Sequence, residues 1–401
     1  MLLARILSKI YKEDGIILID AKGQKYICGN PNQKKPIILK LLKENLKWKL
    51  VIDPEIEFPE AYMRKEIIIE NASLKEFLMQ LIKNLGRREV SSASLMSKKI
   101  FQFYRYFSNY NLPGKARKNV EHHYDIGGER GEKLYDIFLD KTHRLYSCAY
   151  WKEDTKTLED AQQNKIDHIA KKLDIKKGQK ILEIGCGWGG MAFEIAKKHN
   201  CEITGISLSK NQINYCNNKA KELGLDNQVK FELIDYREVR GKFDKVYSVG
   251  MFEHVGKKFY NTFFKSINKL LKEDGIFLLH TIGVVDKPTP PNKFINKYIF
   301  PGGVCPSFSQ IIKSIEKTGL IVADTETLIR HYDKTLENWL ERFMDKKNLI
   351  KDLFDERFVK MWEFYLASCA AAFRYRDLAV FQLQIVKNFQ SAHRTRDYIY
   401  S

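Results

Sequence analysis

A chain of 401 residues carries 68 Lys and Arg against 50 Asp and Glu, a formal net charge of +18, and is 44% hydrophobic. That apolar content excludes a disordered polymer, and the length implies two to three domains. The longest uninterrupted apolar run is Cys369–Phe373, against the roughly 20 residues a spanning helix requires, so an integral membrane protein is excluded too.

At the start of the chain, Leu3, Ile6, Leu7 and Ile10 recur at helical spacing with Arg5, Lys9 and Lys12 between them. This stretch is too charged for the core of a signal peptide, and no small-residue cleavage site follows it. The seven cysteines form no C-x-x-C pair and no histidine follows at zinc-ligand spacing. The expectation is a cytoplasmic chain without a metal site. Gly15–Asp20, Lys25–Cys28 and Ile67–Glu70 predict short strands; Pro36–Leu46 and Ser73–Leu85 predict amphipathic helices. Residues 1–110 therefore read as a small α+β domain with its linker, lacking a nucleophile constellation or phosphate loop.

Charge is concentrated there. Residues 1–120 hold 23 basic and 12 acidic side chains, +11 of the total. Lys83–Lys118 contains nine basic residues and one acid, Glu89, around Phe101, Phe103, Tyr104, Tyr106, Phe107 and Tyr110. A linker helix packing its aromatics on a neighbour, a face resting on anionic lipid headgroups and a single-strand nucleic-acid surface all fit such interleaving. Composition alone does not separate them. Asn111-Leu-Pro-Gly114 is a turn signal and marks the expected boundary with a second domain, 111–401.

Strands and helices then alternate. Leu158–Leu173 predicts a helix, Lys180–Ile184 a strand, Gly190–His199 a helix, Glu202–Ser207 a strand and Asn211–Leu223 a helix. Val229–Asp235 and Phe243–Val249 predict strands, Lys258–Leu271 a helix and Gly275–Ile282 a strand. Repeated β-α units with short connections imply a doubly wound parallel sheet covered on both faces. Thr335–Phe343 and Phe358–Phe373 predict two further amphipathic helices rich in aromatic residues.

The strongest local signal is Lys180-Ile-Leu-Glu-Ile-Gly-Cys-Gly-Trp-Gly-Gly190, a strand running through Gly185, Gly187 and Gly189 into a helix. Such glycines let backbone approach a ligand, and the helix N-terminus favours polar groups. The spacing is G-x-G-x-G-G, and with Glu183 it resembles the S-adenosylmethionine (SAM) motif of class I methyltransferases. Ligands of such sheets sit beyond the carboxyl ends of the strands. That places Ser207 and Gln212 where many class I enzymes keep an acid for the ribose, and Asp235 and Tyr236 where the adenine edge would be read. Asp235 as a simple helix cap is the structural alternative.

Longer motifs make the resemblance specific. His123-Tyr-Asp-Ile-Gly127, Tyr146-Ser-Cys-Ala-Tyr-Trp151, Val249-Gly-Met-Phe-Glu-His-Val-Gly256, Leu278-Leu-His-Thr-Ile-Gly283 and Asn296-Lys-Tyr-Ile-Phe-Pro-Gly302 are similar to motifs of the cyclopropane-fatty-acyl-phospholipid synthase family. The similarity covers about residues 120–385. It implies a Rossmann-like SAM-methyltransferase sheet with a helical acyl-binding insertion, and Tyr146 and Ser147 join the cofactor residues. It further implies transfer of the SAM methyl carbon to a cis double bond of a phospholipid acyl chain, then proton loss and closure of a cyclopropane ring. By resemblance the base is a bound bicarbonate held by Cys148, Glu253, His280 and Tyr332, with the backbone at Ile282 helping. Cys369 matches a further family position, although its Ala-rich helix suits packing.

A same-family enzyme making a methyl-branched lipid, or N-methylating a small amine, is the competing reading, as is a catalytically silent lipid-binding protein. The joint presence of Cys148, Glu253, His280 and Tyr332 favours the lipid reaction. A nucleic-acid methyltransferase would show an N/D-P-P-Y/F motif after the fourth strand. Gly250-Met-Phe-Glu253 is not one, so no nucleic-acid partner is expected. The remaining expectations are an unsaturated phospholipid in the bilayer as substrate, peripheral binding to the anionic inner face of the membrane, and a homodimer.

Overall fold

The structure, a computed structural model, describes residues 1–30, 34–86 and 129–400. The basic–aromatic stretch from residue 87 to Lys118, the turn at Asn111–Gly114 and the His123–Gly127 motif lie outside the described residues. What is described forms two compact units. One comprises 1–30, 34–86, 290–300 and 336–377; the other comprises 129–289, 301–335 and 378–400.

The first unit contains a four-stranded sheet, β1 (Gly15–Ile19), β2 (Lys25–Gly29), β3 (Ile37–Leu41) and β4 (Ile67–Glu70), in the order β2-β1-β3-β4. Helices Leu2–Ile10, Leu46–Ile52, Pro54–Met63 and Leu74–Leu85 accompany it. β3 corrects the helix expected over Pro36–Leu46. Ile37, Leu39 and Leu41 are buried while Ile38 and Lys40 are only partly so, a period of two. The strand pairs in parallel with β1 and antiparallel with β4, which outweighs the helical propensity of Leu and Lys. Ser73 caps the last of the four helices, the one expected over Ser73–Leu85, in a capping box with Glu76. Helix Glu356–Tyr375 belongs to this unit, where Phe364 meets Phe58, Tyr62 and Phe294 at ring-centroid distances of 6.0, 6.5 and 5.0 Å.

The second unit is built on seven strands: β5 (Lys180–Ile184), β6 (Glu202–Ser207), β7 (Val229–Leu233), β8 (Phe243–Val249), β9 (Leu271–Val284), β10 (Ile321–Leu328) and β11 (Leu378–Val386), in the order β10-β11-β9-β8-β5-β6-β7. β5 to β9 are mutually parallel, and β11 runs antiparallel to both neighbours. Adjacent residues feed opposite cores: Ile181 and Leu278 pack with Ile169, Leu173 and Ile195, while Leu182 and Leu279 pack with Phe263 and Ile267. The sheet is therefore covered on both faces, which explains the near-continuous apolar runs of its central strands. β10 and β11 escape sequence reading because polar residues interrupt them. Gln382 and Gln384 sit two apart on β11 and are both buried.

Candidate active site

β5 brings the chain to the carboxyl edge of the sheet at Ile184, and the glycine-rich turn carries it into helix Gly190–His199. Gly185 has φ +88°, and a Cβ there would meet the Met251 side chain at 2.8 Å, so a side chain would be both strained and obstructed. Around this turn opens a cleft of about 1230 Å³, part of it open to solvent. Its lining brings together Tyr146, Ser147, Glu183, Gly185, Gly187, Ser207, Gln212, Asp235 and Tyr236. Gly189 is the cofactor candidate that does not join them. A Cβ on it would strike Phe193, Cys216 and Phe231 at 2.9–3.0 Å, so its smallness serves packing at the helix N-cap.

Local hydrogen bonds explain why these side chains converge. The Asp140 carboxylate accepts from the backbone N–H of His143, Arg144 and Leu145 and turns the chain into the cleft wall. Gln162 then donates to the carbonyls of Leu145 and Ser147, at 3.3 and 3.1 Å. Tyr146 packs on Tyr135 and Phe138, with ring centroids at 5.3 and 5.9 Å. Across the cleft Ser207 Oγ donates to Gln212 Oε1 at 2.9 Å, which leaves the Gln212 NH₂ as the donor end. Asp235 accepts from Arg237 Nε (2.7 Å), Nη2 (2.6 Å) and backbone N–H (3.0 Å), a bidentate clamp that fixes it in place.

Glu183 stands apart. It is 3% exposed, its Oε2 has no hydrogen-bond partner among the described residues, and burial raises its pKa to about 8 despite Lys165 nearby. A carboxyl in that condition would gain from a cationic ligand, and SAM carries both an ammonium and a sulfonium. The glycine turn, the donor end of Gln212 and this carboxyl fit such a molecule.

The remaining candidates lie outside the cleft lining; Cys148 and Glu253 adjoin the lining residues Ser147 and His254 in the chain, and His280 pairs with the lining residue Val249 across the sheet. Cys148 follows Ser147 and is buried; burial pushes its thiol well up, and Sγ donates to the Ala149 carbonyl at 3.3 Å. Ala149 N–H and Trp151 Nε1 both donate to Thr335 Oγ1, at 3.2 and 3.0 Å, tying this strip to the helix His331–Asp345 that carries buried Tyr332. Glu253 follows β8 in the 3-10 turn Phe252–His254 and accepts from Ile282 N–H on β9 at 2.5 Å. Its Oε2 has no partner among the described residues, and burial raises its pKa to about 7. His280 on β9 is 2% exposed and bonded through Nδ1 to Gln382 at 3.1 Å. Burial holds it neutral, well below the ordinary imidazole range.

Cys369 is on helix Glu356–Tyr375 of the first unit, and burial pushes its thiol up to about 12. A thiol held protonated is a poor nucleophile. Among the described residues no group of His, Cys, Asp and Glu is placed to hold a metal ion.

Sequence reading missed several residues here. Arg144, Trp188, Arg237 and His254 line the cleft. Arg144 lies over the Trp188 ring at 3.9 Å, and burial lowers the pKa of His254 to about 4. Lys165 is 0% exposed, donates to Ser147 Oγ at 2.7 Å, and has its pKa lowered to about 8 by burial. The signal was available: Lys165, His168 and Lys172 recur at i, i+3 and i+7 on the buried face of helix Leu158–Leu173, where only the apolar positions drew attention.

Residues 113–383 match the family model described as mycolic acid cyclopropane synthetase. Over 287 residues the chain is 40% identical to cyclopropane-fatty-acyl-phospholipid synthase of Escherichia coli (strain K12), covering 71% of this chain and 72% of that protein. The chain belongs to this family. Tuberculostearic acid methyltransferase UfaA1 of Mycobacterium tuberculosis is 34% identical over 290 residues, 68% of this chain and 66% of the relative. The crystal structure of mycolic acid cyclopropane synthase CmaA1 complexed with SAH and CTAB superposes with a TM-score of 0.63 at 32% identity, covering 67% of this chain and 97% of that one. This family member is accordingly a SAM-dependent, lipid-modifying methyltransferase with a Rossmann-like fold.

Proposed function

We propose that the enzyme transfers the SAM methyl carbon to the cis double bond of an unsaturated phospholipid acyl chain and closes a cyclopropane ring, with bicarbonate as base. The observation that carries this reading is the Glu253 carboxyl, fully enclosed, with one oxygen on Ile282 N–H and the other unpaired among the described residues. In its protonated form it can donate to an anion, and Cys148, His280 and Tyr332 are the other groups assigned to hold that anion.

SAM, when bound, supplies an electrophilic methyl group. Glu183, the glycine turn, Ser207 and Gln212 would hold it; Asp235, already clamped by Arg237, orients the far wall. The alkene would provide the electron pair for the new C–C bond while the methyl–sulfur bond breaks with its pair left on sulfur, and one proton would leave the transferred carbon as the ring closes. A bicarbonate held by Cys148, Glu253, His280 and Tyr332 would supply a base that resists alkylation. The residues around it must exclude water, which would quench a cationic acyl chain, and burial of Cys148, Glu253 and His280 serves that end. The aromatic helices His331–Asp345 and Glu356–Tyr375 are the proposed acyl-chain elements.

The basic first third of the sequence supports docking on an anionic bilayer from the cytoplasmic side. No helix among the described residues is long and apolar enough to cross a membrane. A homodimer is part of the same proposal.

The test is incubation with SAM and vesicles of monounsaturated phospholipid, followed by mass and proton-NMR analysis of the fatty acids. Gain of one CH₂ with loss of the alkene protons and appearance of ring protons is expected. An acyclic methyl branch is the competing product. Its appearance, or a retained alkene, would overturn the ring-forming reaction.

A further inference from the structure

A buried polar chain runs from the sheet edge to His280. Glu326 on β10 accepts from His168 Nε2 at 2.7 Å and pairs with Lys172 Nζ. Lys172 Nζ donates to Gln382 Oε1 at 2.8 Å, and Gln382 Nε2 lies 3.1 Å from His280 Nδ1. Lys172, Gln382 and His280 are each no more than 2% exposed, so water does not compete for these bonds.

Donor chemistry gives the chain one direction. A lysine ammonium only donates, so the oxygen end of the Gln382 amide must face Lys172. The NH₂ end then faces His280, and since it cannot accept, Nδ1 must. A neutral imidazole that accepts at Nδ1 carries its proton on Nε2. We infer that Lys172 and Gln382 are positioning residues that lock His280 as the Nε2–H tautomer, a hydrogen-bond donor to an anion and not the group that takes the proton. The inference rests on the proposed placement of His280 at the reacting centre.

The surroundings agree. Lys165, Lys172 and His168 act on His280 against Glu326, and together with burial they disfavour a second proton on the ring. The same buried lysines favour an anion beside it. Glu326 is itself held ionised, its pKa lowered to about 2 by His168 and Lys172 in spite of partial burial, and its charge opposes the burial that lowers the pKa of Lys172.

The test uses full-length protein labelled with ¹⁵N at histidine, with His280 assigned by its disappearance in His280→Asn. A protonated, pyrrole-type Nε2 and a pyridine-type Nδ1 are expected. Gln382→Glu places an acceptor against the ring, with Lys172 as its counter-ion, and should move the proton to Nδ1. Turnover should then fall by roughly 10²–10⁴-fold with the dissociation constant for SAM unchanged. Lys172→Met frees the amide to rotate and should give mixed tautomers, and Lys172→Arg should restore one. An Nδ1–H signal in the native protein overturns the lock whatever the activity. So does a Gln382→Glu ring that keeps its original signal; if that variant does not fold, Lys172→Met decides, a single unchanged tautomer counting against. Inverted tautomer with full turnover upholds the lock and removes His280 from the reacting centre.

Discussion

On the β5–β6 side of the cleft the polar groups mostly partner one another: Ser207 with Gln212, and Asp235 with Arg237. At the β8–β9 edge, and at Cys148 beside Ser147, they are enclosed and pushed toward neutrality, Glu253 to about 7, Cys148 well up and His280 well down. The first arrangement suits a ligand that arrives with its own hydrogen-bonding groups and meets a preformed surface. The second stores unfavourable burial that an anion and a few protons could relieve. In the proposed reaction, binding and chemistry would thus be separated by the environment of the side chains more than by their types. Glu183 is the exception, a strained carboxyl on the binding side.

Glu253→Ala gives the sharpest test of that separation. Turnover should fall by at least about 10³-fold, while calorimetric SAM affinity stays within a few-fold. Loss of SAM binding would merge the two sides. Stability supplies the next test. The pKa of Glu253 is raised, so its neutral form is the stable one and the cost of ionisation appears as pH rises from about 4.5 to 7. Glu253→Gln should therefore match the parent at low pH and exceed it by up to about 3 kcal/mol at pH 8 in urea unfolding. An equal gap at both pH values would mean the carboxyl is not strained.

On the binding side, Gln212→Ala should raise the dissociation constant for SAM about 10-fold with little change in kcat at saturation. SAM binding near pH 7 should also release up to about one proton, read from the buffer dependence of the calorimetric heat. The sign follows from Glu183, which is largely protonated below about 8 and would ionise against a cation. Glu183→Gln should abolish that release. The smallest effect is expected from the basic stretch. Neutralising Lys83–Lys118 should weaken binding to anionic vesicles a few-fold and blunt its salt dependence. Equal binding of the parent to neutral and anionic vesicles at low salt would break the membrane proposal.

The same contrast decides what was legible in the sequence. β5, the glycine turn and helix Gly190–His199 are visible because one contiguous stretch encodes strand, turn and helix start. The cofactor candidates follow because a parallel sheet puts its loops at one edge. Ile37–Leu41 is misread because five residues are too few to separate period two from period 3.6 when Lys and Leu favour helices. The link from Lys172 to Gln382 to His280 was invisible for a different reason. Its members are 102 to 210 positions apart and meet only because β11 is inserted antiparallel beside β9, a strand that buried glutamines disguise.

The first unit draws on 336–377 as well as the N-terminal stretch, and Tyr62 donates to Glu363 across that interval at 2.7 Å. During synthesis its sheet can form early, but its aromatic partners emerge only after most of the seven-stranded sheet has been made. Phe58 and Tyr62 must wait, partly uncovered, through that interval, a natural point of engagement for a chaperone. For the same reason, removing the N-terminal stretch would not trim a tail; it would strip a late helix of the surface it folds against.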